Sequence, residues 1–149
     1  MKVSQRVTYG IMAAVDLAMN AKEVPIQARA IARRQAIPVR FLEQVLNGMK
    51  KAGLVNSLRG AQGGYMLLKK PSALSIADIF EALDGPVFHR ALEGQSVDER
   101  RLPIQERLLG NVWEQVGMAE REVLRRITID QLAGRQRAIE EQRNPMYHI

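Results

Sequence analysis

The stretch FLEQVLNGMKKAGLVNSLRGAQGGYMLLKKP, residues 41–71, decides how the chain is read. Phe41, Leu42, Val45, Leu46 and Met49 recur at the three-to-four spacing of one helical face. Pro38, just upstream, suits the first turn of that helix because its missing N–H is not needed there. Gly53 ends the helix near residue 51. The β-rich runs 54–58 and 65–68 then flank Arg59-Gly60-Ala61-Gln62-Gly63-Gly64, which reads as a hairpin closed by a glycine-rich loop.

Working outward, residues 4–20 favour helix. Ser4 is a candidate N-cap, and Val7, Ile11, Ala14, Val15 and Ala18 form an inward face. Val24-Pro25-Ile26 is a short extended piece. Residues 28–35 form a short helix with Ala28, Ile31 and Ala32 inward and Arg29, Arg33 and Arg34 outward, and a tight connection at Ala36-Ile37 follows. Ser75-Ile76-Ala77-Asp78 is a capping box that opens a helix through Leu83, stopped by Gly85-Pro86. Residues 87–102 are polar, lack periodicity and read as a loop. From 103 to 128 one long helix is expected, then a second capping box, Thr128-Ile129-Asp130-Gln131. From Gly134 onward a frayed polar tail is expected. The fold class is therefore mainly α with a small β-hairpin. Residues 1–86 form a winged helix-turn-helix domain, 87–102 a loop, and 103–149 a long dimerisation helix with a short helix and tail.

Charge divides the chain in the same way. Residues 1–70 hold twelve Lys/Arg against three acids, and residues 71–149 hold ten Arg against thirteen, so the overall +6 is concentrated in the first part. Such asymmetry suits one part meeting a polyanion, or simply a basic solvated surface. There is no cysteine and only His89 and His148, so thiol chemistry and thiolate metal sites are excluded and a histidine-based metal site has little to build on. No metal and no cofactor are expected. Lys2 and Arg6 before the apolar run 10–15 look like a signal peptide, but Asp16 interrupts the run, and it reads as a buried helix of an intracellular protein. No membrane span is expected. Catalysis has no visible basis. There is no nucleophile–base pairing and no paired-carboxylate motif, and residues 60–64 lack the Gly-Lys-Ser/Thr of a phosphate loop.

Helix, helix, turn, helix, hairpin is an arrangement that duplex DNA can accept. A helix about 10–12 Å across fits a major groove about 12 Å wide. The helix after the tight turn is the candidate reader, and its first exposed residues are Val39, Arg40, Glu43 and Gln44. Arg can pair with guanine, Gln with adenine and Glu with cytosine. Arg29, Arg33, Arg34, Lys50 and Lys51 are candidates for phosphates. Arg59 is the one charged residue in the hairpin loop and suits a narrow minor groove; alternatively the glycines merely serve turn geometry.

On the long helix, Ile104, Leu108, Val112, Val116, Ala119, Val123 and Ile127 form a stripe with few partners in the chain, which a homodimer would cover with a second copy. Gly110 and Gly117 suggest close helix crossing there, the alternative being tolerated glycines in a helix packed within its own chain. Trp113 and Met118 read as packing residues.

The segment 41–71, with "YGIMAAVDLA" at 9–18 and "SIADIFEALDGP" at 75–86, resembles the Rrf-two family of winged-helix regulators. The resemblance implies a homodimer joined through the long helix. It implies base reading by Arg40, Glu43 and Gln44, with Arg59 and Gly60 in the wing and Gln62 nearby; the acid matching Glu43 helps discriminate operator types in relatives. Many relatives hold an iron–sulfur cluster through three cysteines in the loop before the long helix. Here that loop has none, and Leu102-Pro103 stands where relatives carry Cys-Pro. Thr8 and Met12, which match another ligand arrangement on the first helix, are poor ligands, and His89 alone cannot hold a cluster. The expected function is a sequence-specific, cytoplasmic, homodimeric transcription regulator, a repressor on double-stranded DNA without a cysteine-held cluster. Its effector, a small molecule or a protein, is unidentified. The rival reading is a winged-helix module that docks protein and does not bind DNA.

Overall fold

A computed structural model describes residues 1–20, 23–85 and 98–144. Its elements run α1 (Gln5–Asn20), α2 (Ala28–Gln35), α3 (Val39–Lys51), β1 (Val55–Leu58), β2 (Gly64–Leu67), a 3-10 turn (Pro71–Ala73), α4 (Ile76–Asp84), a second 3-10 turn (Glu99–Arg101), α5 (Ile104–Arg126) and α6 (Ile129–Arg143). The fold is a mainly helical winged helix with one antiparallel hairpin. His89 and most of the expected loop lie outside the described residues.

α1 is the centre of the packing. Ser4 caps it, its Oγ accepting from the Val7 N–H at 3.2 Å. Val7, Ala13, Ala14 and Leu17 are fully buried against α2, α3, α4 and α6. α4 crosses at Gly10, where an added Cβ would stand 2.5 Å from Leu83 Cδ1, so the small residue sets how closely the two helices approach. Leu42, Val45, Leu46 and Met49 turn the inner face of α3 into the same core.

Between α2 and α3 the chain reverses at Ala36, which is left-handed with φ 53°, and Ile37 then plugs into the core. Pro38 stands at the N-cap of α3, one residue before the first turn. In the hairpin Val55 pairs with Leu67 and Leu58 with Gly64. Ile26 exchanges two backbone hydrogen bonds with Tyr65, at 3.0 and 2.8 Å, so the short extended piece supports β2 from its other side. Gly64 makes this approach feasible: its φ is +149°, and a Cβ there would overlap the Ile26 backbone.

The C-terminal part departs from expectation in two ways. Ile127 leaves the helical stripe. It caps α5 in an extended conformation, and its carbonyl accepts from the Ile76 N–H at 2.9 Å while Ile129 N–H donates to Leu74 O at 2.8 Å. This bridge turns the chain sharply, so Ile127 is half-buried within its own chain. Residues 135–143, expected to fray, continue a helix, and residues 145–149 lie outside the described residues. Both capping boxes form, and the one at Thr128 starts α6, whose Ile129 and Ala133 are buried in the common core. Once docked, its Arg, Gln, Ala and Glu residues are good enough helix formers to carry it on to Arg143.

Candidate nucleic-acid interface

α3 offers its outer face at the end that follows the turn. Arg40, Glu43 and Gln44 are exposed there, whereas Val39 is half-buried against the core. The base of this face is braced from α1: the Tyr9 ring meets Phe41 edge-on at 5.3 Å, and the Tyr9 hydroxyl accepts from Gln5 Nε2 at 2.7 Å. Arg29 and Arg33 are exposed on α2. Arg34 is engaged within the fold: its Nε and Nη2 donate to the two oxygens of Asp16 at 2.9 and 2.7 Å. That hydrogen bonding, with the neighbouring carboxylate charge, raises the Arg34 pKa against the opposing effect of burial. At the far end of α3, Lys50 Nζ donates to Ser57 Oγ on β1 at 2.6 Å, and Lys51 is exposed.

The wing tip presents Arg59, Gly60, Ala61 and Gln62 to solvent, closed by a Gly63 N–H to Gly60 O bond of 3.0 Å. Gln27, just before α2, donates to Ala61 O at 3.3 Å. The wing is therefore tied to the start of α2 as well as to α3. Gln27 went unnoticed in the sequence because its partner is 34 residues away and no local pattern marks it. Tyr65 on β2 is half-buried, and burial together with the negative charge of Glu43 raises its phenol pKa. β2 and α3 thus lie close enough for the Glu43 charge to act on Tyr65.

Of the long-helix residues, Ile104, Leu108, Val112, Val116, Ala119 and Val123 are exposed, as are Trp113 and Met118. Gly110 has nothing within 4 Å of an added Cβ, whereas Gly117 is buried within the chain. Towards its end α5 turns into the fold: Leu124 is buried, and Arg121 pairs with Glu81 of α4 at 3.0 Å.

No group of three or more metal-ligating side chains occurs among the described residues. Thr8 donates its hydroxyl to Ser4 O at 3.3 Å, and Met12 packs against the core. No helix among the described residues is long and apolar enough to cross a membrane.

The family model Rrf2, described as an iron-dependent transcriptional regulator, matches residues 3–135. The chain is 34% identical over 134 residues to the HTH-type transcriptional regulator CymR of Bacillus subtilis, covering 89% of this chain and 90% of that one. It is 38% identical over 87 residues to IscR of Aliivibrio salmonicida, covering 58% of this chain and only 52% of that one. Among solved structures, CymR of B. subtilis, described as the global cysteine regulator of that organism, superposes with a TM-score of 0.69 at 32% identity over 90% of this chain and 97% of that one. IscR of T. potens does so with a TM-score of 0.68 at 34% identity, over 95% and 91%. These relatives are transcriptional regulators, not enzymes. The iron in the family's description finds no thiolate here, because the chain has no cysteine at all and so does not fit a cysteine-held iron–sulfur cluster. By its matching residues, its relatives and its fold, the chain belongs to the Rrf2 family of DNA-binding winged-helix transcriptional regulators.

Proposed function

We propose that this protein is a cytoplasmic, homodimeric repressor that reads a two-fold operator in duplex DNA and is regulated without a cysteine-ligated cluster. The observation that carries this reading is the joint exposure of Arg40, Glu43 and Gln44 on α3 beside a wing bearing Arg59. α3 enters the major groove, where Arg40 pairs with guanine, Gln44 with adenine and Glu43 with cytosine. Arg59 and Gly60 enter the adjacent minor groove, with Gln62 close by. Arg29, Arg33, Lys50 and Lys51 meet phosphates, which fix register without carrying sequence information.

Residues 1–86 are the DNA-binding unit, and the exposed stripe of α5 is the pairing surface. Ile104 at 77% and Leu108 at 67% exposure are costly to leave in water, and a second copy covers them symmetrically. Pairing duplicates α3 and the wing, which gives two half-sites. With thiolate chemistry absent, the regulatory input falls to a small-molecule or protein effector still to be identified.

The test is in-vitro selection of duplexes from a random library, followed by titration of the selected operator with wild type, Arg40→Ala and Arg59→Ala. Arg40→Ala is expected to lose about 1–3 kcal/mol and to relax the sequence at one position in each half-site. Wild-type affinity and salt slope in both variants would refute the assigned readers. Failure to enrich any sequence, with no retention on heparin, would favour a protein-docking module instead.

A further inference from the structure

Among the described residues, Asp16 is the one buried charged side chain in the core, 1% exposed on α1. Three donors converge on its carboxylate: Arg34 Nε at 2.9 Å, Arg34 Nη2 at 2.7 Å and Gln35 Nε2 at 3.0 Å. The two side chains that supply them are adjacent and close α2. The next residue is Ala36, held left-handed at φ 53°; Ile37 is 4% exposed, and α3 begins two residues later. A non-glycine residue persists in that conformation only where its surroundings over-determine it. A planar guanidinium meeting a carboxylate through two parallel bonds fixes direction as well as distance, which a lysine ammonium cannot do. The end of α2, and with it the departure angle of α3, is therefore referenced to α1 through this one carboxylate.

We infer that Asp16, Arg34 and Gln35 form a positioning clamp that aims the reading helix, so that Arg34 governs operator discrimination through Asp16 and not through a DNA phosphate. The inference rests on the DNA-reading role proposed above. It removes Arg34 from the phosphate contacts and leaves Arg29 and Arg33 there. It also gives Asp16, which is too deeply buried to touch DNA, a measurable effect on sequence preference.

The experiment uses the full chain with Asp16→Asn, Arg34→Gln, Arg34→Lys and, as a control, Arg40→Ala. Each is titrated by fluorescence anisotropy against the selected operator and a scrambled duplex at several salt concentrations, with helix content checked by circular dichroism. The clamp predicts that Asp16→Asn and Arg34→Gln lose about tenfold in operator affinity, about 1.4 kcal/mol. Their scrambled-duplex affinity and salt slope stay at wild-type values. Arg34→Lys keeps its charge but loses the fork, and is expected to discriminate as poorly as Arg34→Gln.

A phosphate role predicts otherwise: Arg34→Gln weakens both duplexes alike and lowers the slope by about 0.9, while Arg34→Lys stays near wild type. That outcome overturns the clamp. So does an Asp16→Asn chain that discriminates normally, or one that no longer folds, since the pair would then hold the core and not the aim of α3. Undiminished operator binding by Arg40→Ala would fault the reading helix itself. Loss there alongside intact discrimination in Asp16→Asn would fault only the clamp.

Discussion

Ala36 bears a backbone cost that its side chain does nothing to offset. At φ 53° an L-residue loses about 1–2 kcal/mol against the right-handed region, and glycine does not. Ala36→Gly should therefore stabilise the chain by about 0.5–1 kcal/mol after the extra flexibility of the unfolded glycine is subtracted, read as a higher urea midpoint at constant m-value. Tyr65 makes a pH-dependent prediction. Burial first, and the Glu43 charge second, raise its phenol above the ordinary value. A raised folded pKa means that the neutral phenol's contribution is complete below the unfolded pKa and is lost as pH climbs through the folded one. Wild type should thus lose stability relative to Tyr65→Phe above about pH 10, and an unchanging difference between the two chains up to about pH 11 would contradict it. At this scale the sequence revealed types more readily than partners. Arg40, Glu43, Gln44 and Arg59 were identified as exposed from periodicity and turn chemistry. Arg34 read as one more outward arginine because its carboxylate lies 18 residues away on another helix, a relation that no local spacing encodes.

The helices and the hairpin were legible because their punctuation is local. Ser75 with Asp78 and Thr128 with Gln131 are caps written within four residues, and both form reciprocally. Thr128→Ala should cost about 1 kcal/mol and should loosen α6 before the winged-helix core, which hydrogen exchange on α6 amides would register. Gly64→Ala addresses the wing. The added Cβ has no room against Ile26, so the variant is expected to lose about 1–3 kcal/mol or to shift the hairpin, with loss of protection at the Tyr65 amide. The extent of α6 was not legible. After Ala133 it presents a nearly all-polar run, and what sustains it is docking of its first turn on α1 together with ordinary helix propensity. The place of Ile127 just beyond the end of α5 was not legible for a related reason. A three-to-four repeat does not show where the helix stops, and the bridge to Ile76 that stops it joins segments about fifty residues apart.

For the whole molecule, an amphipathic period reveals that a face is apolar but not what covers it. The α5 stripe was readable for that reason, whereas what covers it is, in the proposal above, a second copy of the chain. Leu108→Glu with Val112→Glu, both at exposed positions, should leave the helix content of the chain intact while converting a two-chain species to one chain in size-exclusion light scattering. A wild-type chain that is already single would contradict the pairing. The two-part charge pattern, +9 in residues 1–70 and −3 in the rest, was equally readable, and it agrees with a DNA-facing first part and a pairing second part. The most direct measurement is a hydroxyl-radical footprint of wild type and Arg59→Ala on the selected operator. Two winged helices presented by a symmetric pair predict two protected tracts related by a dyad, their centres an integral number of helical turns of about 10–10.5 bp apart, with Arg59→Ala losing only the minor-groove protection. A single asymmetric tract, or protection unchanged by removing Arg59, would contradict it.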